Sequence, residues 1–240
     1  MTNRRALHLA VRLYFSLVMP FLLVIAGTRL LLNERFLRFE YQRPGFPADP
    51  YGFTAEDRLD FGPYALNYLF NAETITYLAA LRLPGDKCWN AAAGAADCAL
   101  FSRRELQHML DVKQATAVAF ALGASFALAA CGIAAASRFN DGLRSDIVVG
   151  IGRGCKLTLL SVAALSVFSL GAWDQAFDSF HQLLFAEGTW RFPFSDSLIR
   201  LYPEQLFLDA SLAIAVFASL CAATLLWLLS RWPGRNRRQC

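Results

Sequence analysis

Three histidines occur in the 240 residues, and two of them sit where an imidazole could move a proton. His108 follows a capping-box sequence, Ser102-Arg103-Arg104-Glu105, and has Asp111 three residues further on. His181 lies in an aromatic-rich run and has Asp178 three residues before it. Residues three apart are neighbours on a helix, so each carboxylate is placed to orient a ring. An ordinary pKa of about 6.5 suits histidine to general acid–base work near neutral pH. The same four residues could instead form a two-histidine, two-carboxylate metal site. Other familiar chemistries are not indicated: there is no G-x-S-x-G nucleophile elbow and no H-E-x-x-H zinc helix. The third histidine, His8, reads as a solvated residue with no role.

The elements that must position these residues belong to a membrane protein. The chain is 56% hydrophobic and 18% charged, against about 25% charged in ordinary soluble domains. Four stretches, 10–32, 114–136, 157–173 and 206–229, approach or exceed the ~20 apolar residues needed to cross a bilayer. Four such stretches in so short a chain would leave too little polar surface for a soluble fold. The first has a basic start, Arg4 and Arg5, but its apolar run exceeds a signal-peptide core of roughly 7–15 residues and no A-x-A-like site follows. It reads as a retained span. Lys and Arg bias sets the orientation. Arg4, Arg5 and Arg12 precede the first span without an acid. Arg138, Arg144, Arg153 and Lys156 lie between the second and third, and Arg231, Arg235, Arg237 and Arg238 follow the fourth. The intervening segments are acidic: 33–113 has nine basic and eleven acidic residues, and Asp174, Asp178, Glu187 and Asp196 outnumber Arg191 and Arg200 in the other. Both termini are therefore expected in the cytoplasm. The net charge of +4 reflects topology and not nucleic-acid binding.

The fold class expected is all-α: a four-span bundle with a mostly helical cap built from 33–113 and 174–205. Thr54 to Asp57 reads as a helix start, Pro63 as the opening of a second short helix, and Ser102 to Glu105 as the start of a helix that runs into the second span. Trp173, Phe177, Phe180, Leu184 and Phe185 keep a helical period and read as an interfacial extension of the third span. Asp196 opens a short helix and Pro203 restarts the chain toward the fourth span. The aromatics of this region, Phe177, Phe180, Phe185, Trp190 and Tyr202, with Tyr51 from the first cap segment, are candidate walls of a pocket for an amphiphilic ligand. An interfacial aromatic belt would account for several of them. Arg29 and Asp209 are charges near the outer ends of spans; they are expected to pair, or Arg29 to snorkel to headgroups. Cys88 and Cys98 are a candidate disulfide on the oxidising side. Cys131 and Cys221 read as small apolar residues, Cys155 and Cys240 fall on the reducing side, and no pair has metal-ligand spacing. Gly150 to Gly154 lacks a Walker lysine and reads as a flexible approach to the third span.

One set of residues resembles the signature of a bacterial integral membrane family. The set is Phe180-His181, Phe185, Trp190, Pro193, Asp196, Leu198-Ile199, Tyr202-Pro203 and Phe207. A second match is Glu105, His108-Met109 and Asp111-Val112-Lys113, and a weaker one is Tyr51-Gly52-Phe53 with Arg58 and Tyr68-Leu69. The family is that of the lipoprotein intramolecular transacylase. The resemblance implies four spans in the bacterial inner membrane, an extracytoplasmic cap and two catalytic histidines at the cap–membrane interface, His108 and His181 here. It implies that the sn-2 acyl chain of a diacylglyceryl lipoprotein moves to the α-amine of its N-terminal cysteine, leaving a lyso-form lipoprotein. Asp111, Asp178, Arg29 and Asp196 would orient or support the site. No cofactor and no metal are implied, and the partners would be diacylglyceryl lipoproteins and membrane lipid, with the protein monomeric. The Ala/Gly-rich second span and the Cys88–Cys98 insert depart from the family pattern. A lipid-binding or scaffold protein and a metal-dependent lipid hydrolase are the competing classes.

Overall fold

The computed structural model describes residues 2–90 and 97–231. The small-residue stretch 91–96, the basic tail 235–238 and Cys240 lie outside the described residues. Among those described, the chain is helical without a strand; only an isolated bridge joins Arg82 and Ala99. The helices are α1 (Thr2–Leu31), α2 (Glu34–Gln42), α3 (Ala55–Tyr68), α4 (Thr76–Ala79), α5 (Arg103–Ala136), α6 (Asp141–Gly171), α7 (Trp173–Leu184), α8 (Ser197–Leu201) and α9 (Glu204–Ser230). Four stretches of 27 to 37 residues are long and apolar enough to cross a membrane: in α1, in α5 with the short turn that follows it, in α6 and in α9. Together with the side chains they turn outward, such as Leu128 and Val167, each 73% exposed, they make this an integral membrane protein. Such surface is stable against lipid and would not be against water.

The fold divides into two compact units: Met1–Arg29 with Ala119–Gly171 and Leu212–Cys240, and Leu30–Val118 with Ala172–Ser211. The first unit is the hydrophobic bundle. α1 approaches α6 closely where Gly142, Asp146, Gly150, Gly154 and Thr158 recur every four residues. A Cβ on Gly150 would stand 2.9 Å from Arg12 O, and one on Gly154 would stand 2.7 Å from Phe15 O. Backbone meets backbone there, as small-residue stripes allow in lipid, where no hydrophobic force drives helices together. Gly150 to Gly154 is thus a packed helical face and not a flexible approach, because α1 needs the missing side-chain volume. Asp146 lies in the same stripe, 1% exposed. Its carboxylate accepts hydrogen bonds from Arg12 Nε and His8 Nδ1. His8 is therefore half of a clamp on a buried charge and not an idle solvated ring. A carboxylate in a low-dielectric bundle demands such partners.

The second unit has its own core. Leu78, Leu100 and Leu201 are fully buried, with Tyr68, Phe101 and Met109 among their neighbours. A smaller cluster of Leu37, Tyr41, Leu66 and Leu206 adjoins α2 and α3. Thr54 and Asp57 close a reciprocal capping box on α3, and Lys87 pairs with the same Asp57 carboxylate. Pro63 sits inside a continuous α3 and opens no new helix. The preceding Gly62 carries no Cβ to clash with the proline ring, which removes the usual restriction on a pre-proline residue. Two buried guanidinium groups then tie α8 to the 47–53 segment. Arg200 donates twice to Asp49 Oδ2, at 2.8 and 3.0 Å, and to Tyr51 O at 3.0 Å. Arg58 donates to Arg200 O at 2.9 Å and Pro47 O at 2.7 Å. Cys88 and Cys98 are disulfide-bonded, while Leu83 N and Leu100 N bond to Cys98 O and Leu81 O beside them. The helical period at Trp173 does not continue the third span. The chain breaks at Ala172 (φ −152°, ψ 59°) before α7 begins. Asp209 accepts from Arg43 and from Gln205 within its own unit.

The bundle yields a direct test. Gly154→Ala places a methyl group against Phe15 O and Met19, an overpacking of about 1–3 kcal/mol or more. Gly132→Ala meets nothing within 4 Å. Thermal unfolding in detergent should show a clear loss of Tm for the first and none for the second.

Candidate active site

His108 is placed by the way α5 begins. Ser102 N donates to Glu105 Oε2 at 2.6 Å, and Glu105 N donates to Ser102 Oγ at 3.4 Å, which closes the capping box. Glu105 also reaches beyond its own helix. Its other oxygen, Oε1, accepts from Leu198 N at 2.6 Å, in the first turn of α8. Glu105 is fully buried, so each oxygen needs a donor. The carboxylate thereby fastens the start of α5 to α8, and with it the connecting segment 185–196. His108 follows one turn after Glu105 on α5. Trp190 and Phe192 stand on the fastened segment.

His181 arrives from α7. One turn earlier on that helix, Phe177 contributes both its ring, 4.1 Å from the imidazole centroid to centroid, and its carbonyl. His181 Nδ1 donates to Phe177 O at 2.8 Å. A carbonyl oxygen can only accept, so Nδ1 carries the hydrogen and Nε2 keeps its lone pair. The indole of Trp190 stacks on the imidazole at 4.8 Å, 28° between planes. Phe180 and Phe185 stand at 5.4 and 5.8 Å. His108 lies 6.2 Å from His181, rings nearly parallel, between the edges of Phe185 at 5.0 Å and Phe192 at 5.4 Å. Both histidines are buried, at 7% and 8% exposure. Burial holds the pKa of His181 below its ordinary value, against smaller opposite pulls from the Phe177 carbonyl and Asp178. Its ring is neutral near pH 7, with Nε2 able to accept a proton.

The structure brings together His108, His181, Phe177, Phe180, Phe185 and Trp190, and it adds Phe192. Tyr51 and Tyr202 are directed elsewhere. Tyr51 is 42% exposed and offers its carbonyl to Arg200. Tyr202 is turned to α3, where its hydroxyl donates to Gly62 O. Arg29 stands in the last turn of α1. Asp196 is buried and precedes α8, with no side-chain cap bond. The two acids do not orient the rings by hydrogen bonds: Asp111 accepts from Gln107 Nε2 at 3.0 Å, and Asp178 from Arg191 at 2.7 Å. Both face more polar surroundings than the rings do, and long neighbouring donors reach them first. Among the described residues no group of three or more His, Cys, Asp or Glu side chains is disposed to hold a metal ion. A cavity of about 220 Å³ is lined by Ile75, Arg103, Leu106, Gln107 and Leu110, none of them a member of the ring cluster. Glu105 was legible in sequence as a capping residue; its bond across to Leu198 N had no local signal.

The model of the Lit lipoprotein intramolecular transacylase family matches residues 13–207. The chain belongs to this family. It is therefore a membrane acyltransferase of the lipoprotein intramolecular transacylase class, acting in lipoprotein modification. An uncharacterized protein of Aquifex aeolicus is 28% identical over 211 residues, 88% of each chain. The membrane-integral transacylase Lit of Bacillus cereus superposes with a TM-score of 0.69 at 21% identity, covering 94% of this chain and 97% of that one. A histidine-to-alanine variant of the same protein gives 0.66 at 18% identity, covering 98% of each. These likenesses show the same fold.

Two measurements test this geometry. Glu105→Gln turns an amide NH₂ toward one of two backbone donors, a loss of about 1.5–3 kcal/mol; differential scanning fluorimetry should show the lowered Tm. The folded pKa of His181 lies below the unfolded value of about 6.5. Its stabilising contribution is complete above that value and is lost as pH falls through the folded pKa. Stability of the wild type should therefore decline below pH ~6.5, and His181→Gln should remove this part of the pH dependence of stability.

Proposed function

We propose that this Lit-family chain transfers the sn-2 acyl chain of a diacylglyceryl lipoprotein to the α-amine of the same molecule's N-terminal cysteine. The observation that carries the proposal is the pairing of a buried His181, its Nδ1 hydrogen committed to Phe177 O, with a second buried imidazole 6.2 Å away inside one aromatic cluster. The α-amine, with an ordinary pKa of about 7.7–8.0, attacks the ester carbonyl carbon in its neutral form. The new C–N bond forms as the carbonyl π pair moves to oxygen, and His181 Nε2 takes the ammonium proton. Collapse reforms the carbonyl and breaks the bond to the glyceryl oxygen. His108 hydrogen-bonds that departing oxygen, and the proton held by His181 completes its hydroxyl. The products are an amide and a free alcohol, with protons conserved.

No protein nucleophile is needed, which accounts for the missing serine or cysteine motif. Positioning is the larger demand, since holding amine and ester of one flexible molecule together can contribute ~7–11 kcal/mol. The ring cluster suits acyl and glyceryl surface and keeps out water that would hydrolyse the ester. The basic bias of the α1 start and of the α5–α6 connection supports cytoplasmic termini in a bacterial inner membrane, with the unit containing the histidines outside. One chain supplies both histidines, so a monomer acting on lipoprotein and lipid, without nucleic acid, suffices.

The test is mass spectrometry of a lipoprotein's N-terminal peptide from a host that leaves diacylglyceryl lipoproteins with a free amine. Expression of the wild type should convert S-diacylglyceryl to N-acyl-S-monoacylglyceryl cysteine. His181→Ala and His108→Ala should each lower the rate by roughly 10²–10⁴-fold. Unchanged turnover in either folded variant would defeat the assignment.

A further inference from the structure

Among the described residues, three buried side-chain polar atoms have no hydrogen-bond partner: His108 Nδ1, Trp190 Nε1 and Ser197 Oγ. Two of the three belong to the ring cluster around His181. They differ chemically. An imidazole nitrogen can donate or accept, and a hydroxyl can rotate, but an indole N–H only donates. Trp190 is 5% exposed, so its donor is sealed from water as well. Leaving a buried donor unpaired costs about 1–3 kcal/mol. Phenylalanine would stack on His181 without that penalty, and the cluster already uses phenylalanine at Phe177, Phe185 and Phe192.

The proposed transfer creates one acceptor that the free protein does not contain. When the amine adds to the ester, the carbonyl oxygen takes a full negative charge. It must meet a donor in an apolar enclosure, where a preorganised hydrogen bond is worth far more than in water. His181 has no N–H to offer, since Nδ1–H is spent on Phe177 O and Nε2 is the base. We infer that Trp190 is a catalytic residue whose Nε1–H donates to the carbonyl oxygen of the scissile ester as it becomes the oxyanion. The inference rests on the transacylase reading given above.

The indole is held by two neighbours. His181 stacks at 4.8 Å, and the Arg191 guanidinium lies 4.9 Å from the ring centroid. Arg191 is in turn held by Asp178. A cation over an indole draws electron density from the ring and strengthens N–H as a donor. With the oxyanion served by Trp190, His108 is free for the leaving oxygen. The π pair that moves to the carbonyl oxygen on attack returns on collapse, so Trp190 keeps its proton throughout.

The experiment uses the full chain in lipid nanodiscs with a synthetic diacylglyceryl lipopeptide bearing a free α-amine. Trp190→Phe keeps a stacking ring and removes N–H. Incorporation of 3-benzothienylalanine at position 190 keeps the whole bicyclic shape and replaces N–H by sulfur. With thermal transitions matching the wild type, both should lose roughly 10²–10³-fold in kcat, with KM changed by less than about threefold. A benzothienylalanine protein that keeps kcat within about threefold of wild type overturns the oxyanion role and leaves the transacylase reading intact. That result holds even if Trp190→Phe is inactive, since shape would then be what matters. A wild type that leaves the lipopeptide unconverted overturns the transacylase reading and this inference with it.

Discussion

A fully buried carboxylate with two backbone donors organises the half of the molecule that carries the chemistry. Glu105 accepts from Ser102 N at the start of α5 and from Leu198 N at the start of α8. A charge so deeply buried is tolerated only while its donors stay in place, so neither N–H can move away. That demand fixes α5 against α8. His108 is carried on one side of the joint, and the segment with Trp190 and Phe192 on the other. The buried Arg200–Asp49 pair and Arg58 then hold α8 to the 47–53 segment from behind. A polar network of this kind rigidifies only when every member is satisfied. Its members are satisfied, and the unpaired atoms of the unit include two in the ring cluster itself, where a substrate would supply partners.

Apolar enclosure and proton transfer are reconciled in the site by neutrality. Rings surround both imidazoles, and burial disfavours the imidazolium form of His181. A neutral imidazole is the form a base needs, and the Phe177 carbonyl selects its tautomer without adding a formal charge. A carboxylate in that position would have raised the basicity further but introduced a second buried charge to satisfy. The two nearby acids are instead occupied by Gln107 and Arg191. The outward sides of the same region, with Phe180 57% and Leu183 82% exposed, present apolar surface of the kind that acyl chains wet readily.

The bundle is held by a different principle. Between lipid-solvated helices there is little hydrophobic gain, so contact must come from close packing and from polar groups that have nowhere else to go. The α1–α6 stripe combines both in one register: glycines admit the backbone of α1, and Asp146 binds Arg12 and His8 from it.

Much of this was determined by the sequence alone. Four spans follow from apolar length, because the bilayer sets a minimum that few other structures need. The helix start at Ser102–Glu105 and the one at Thr54–Asp57 follow from local capping chemistry. The two histidines stood out because the chain holds only three, and the residues around them resemble the family signature. Tertiary structure decided the rest, for reasons of geometry between distant segments. Acids at i±3 promised ring partners, yet nearer donors took them, and a carbonyl on the histidine's own helix served instead. Tyr51 and Tyr202 matched the aromatic pattern but face Arg200 and Gly62. Gly150 and Gly154 looked like loop residues until α1 was seen to need their space. His8 had no meaning without Asp146, far away in the chain. Composition and spacing specify what each helix is; which donor meets which acceptor across helices depends on contacts that no local pattern encodes.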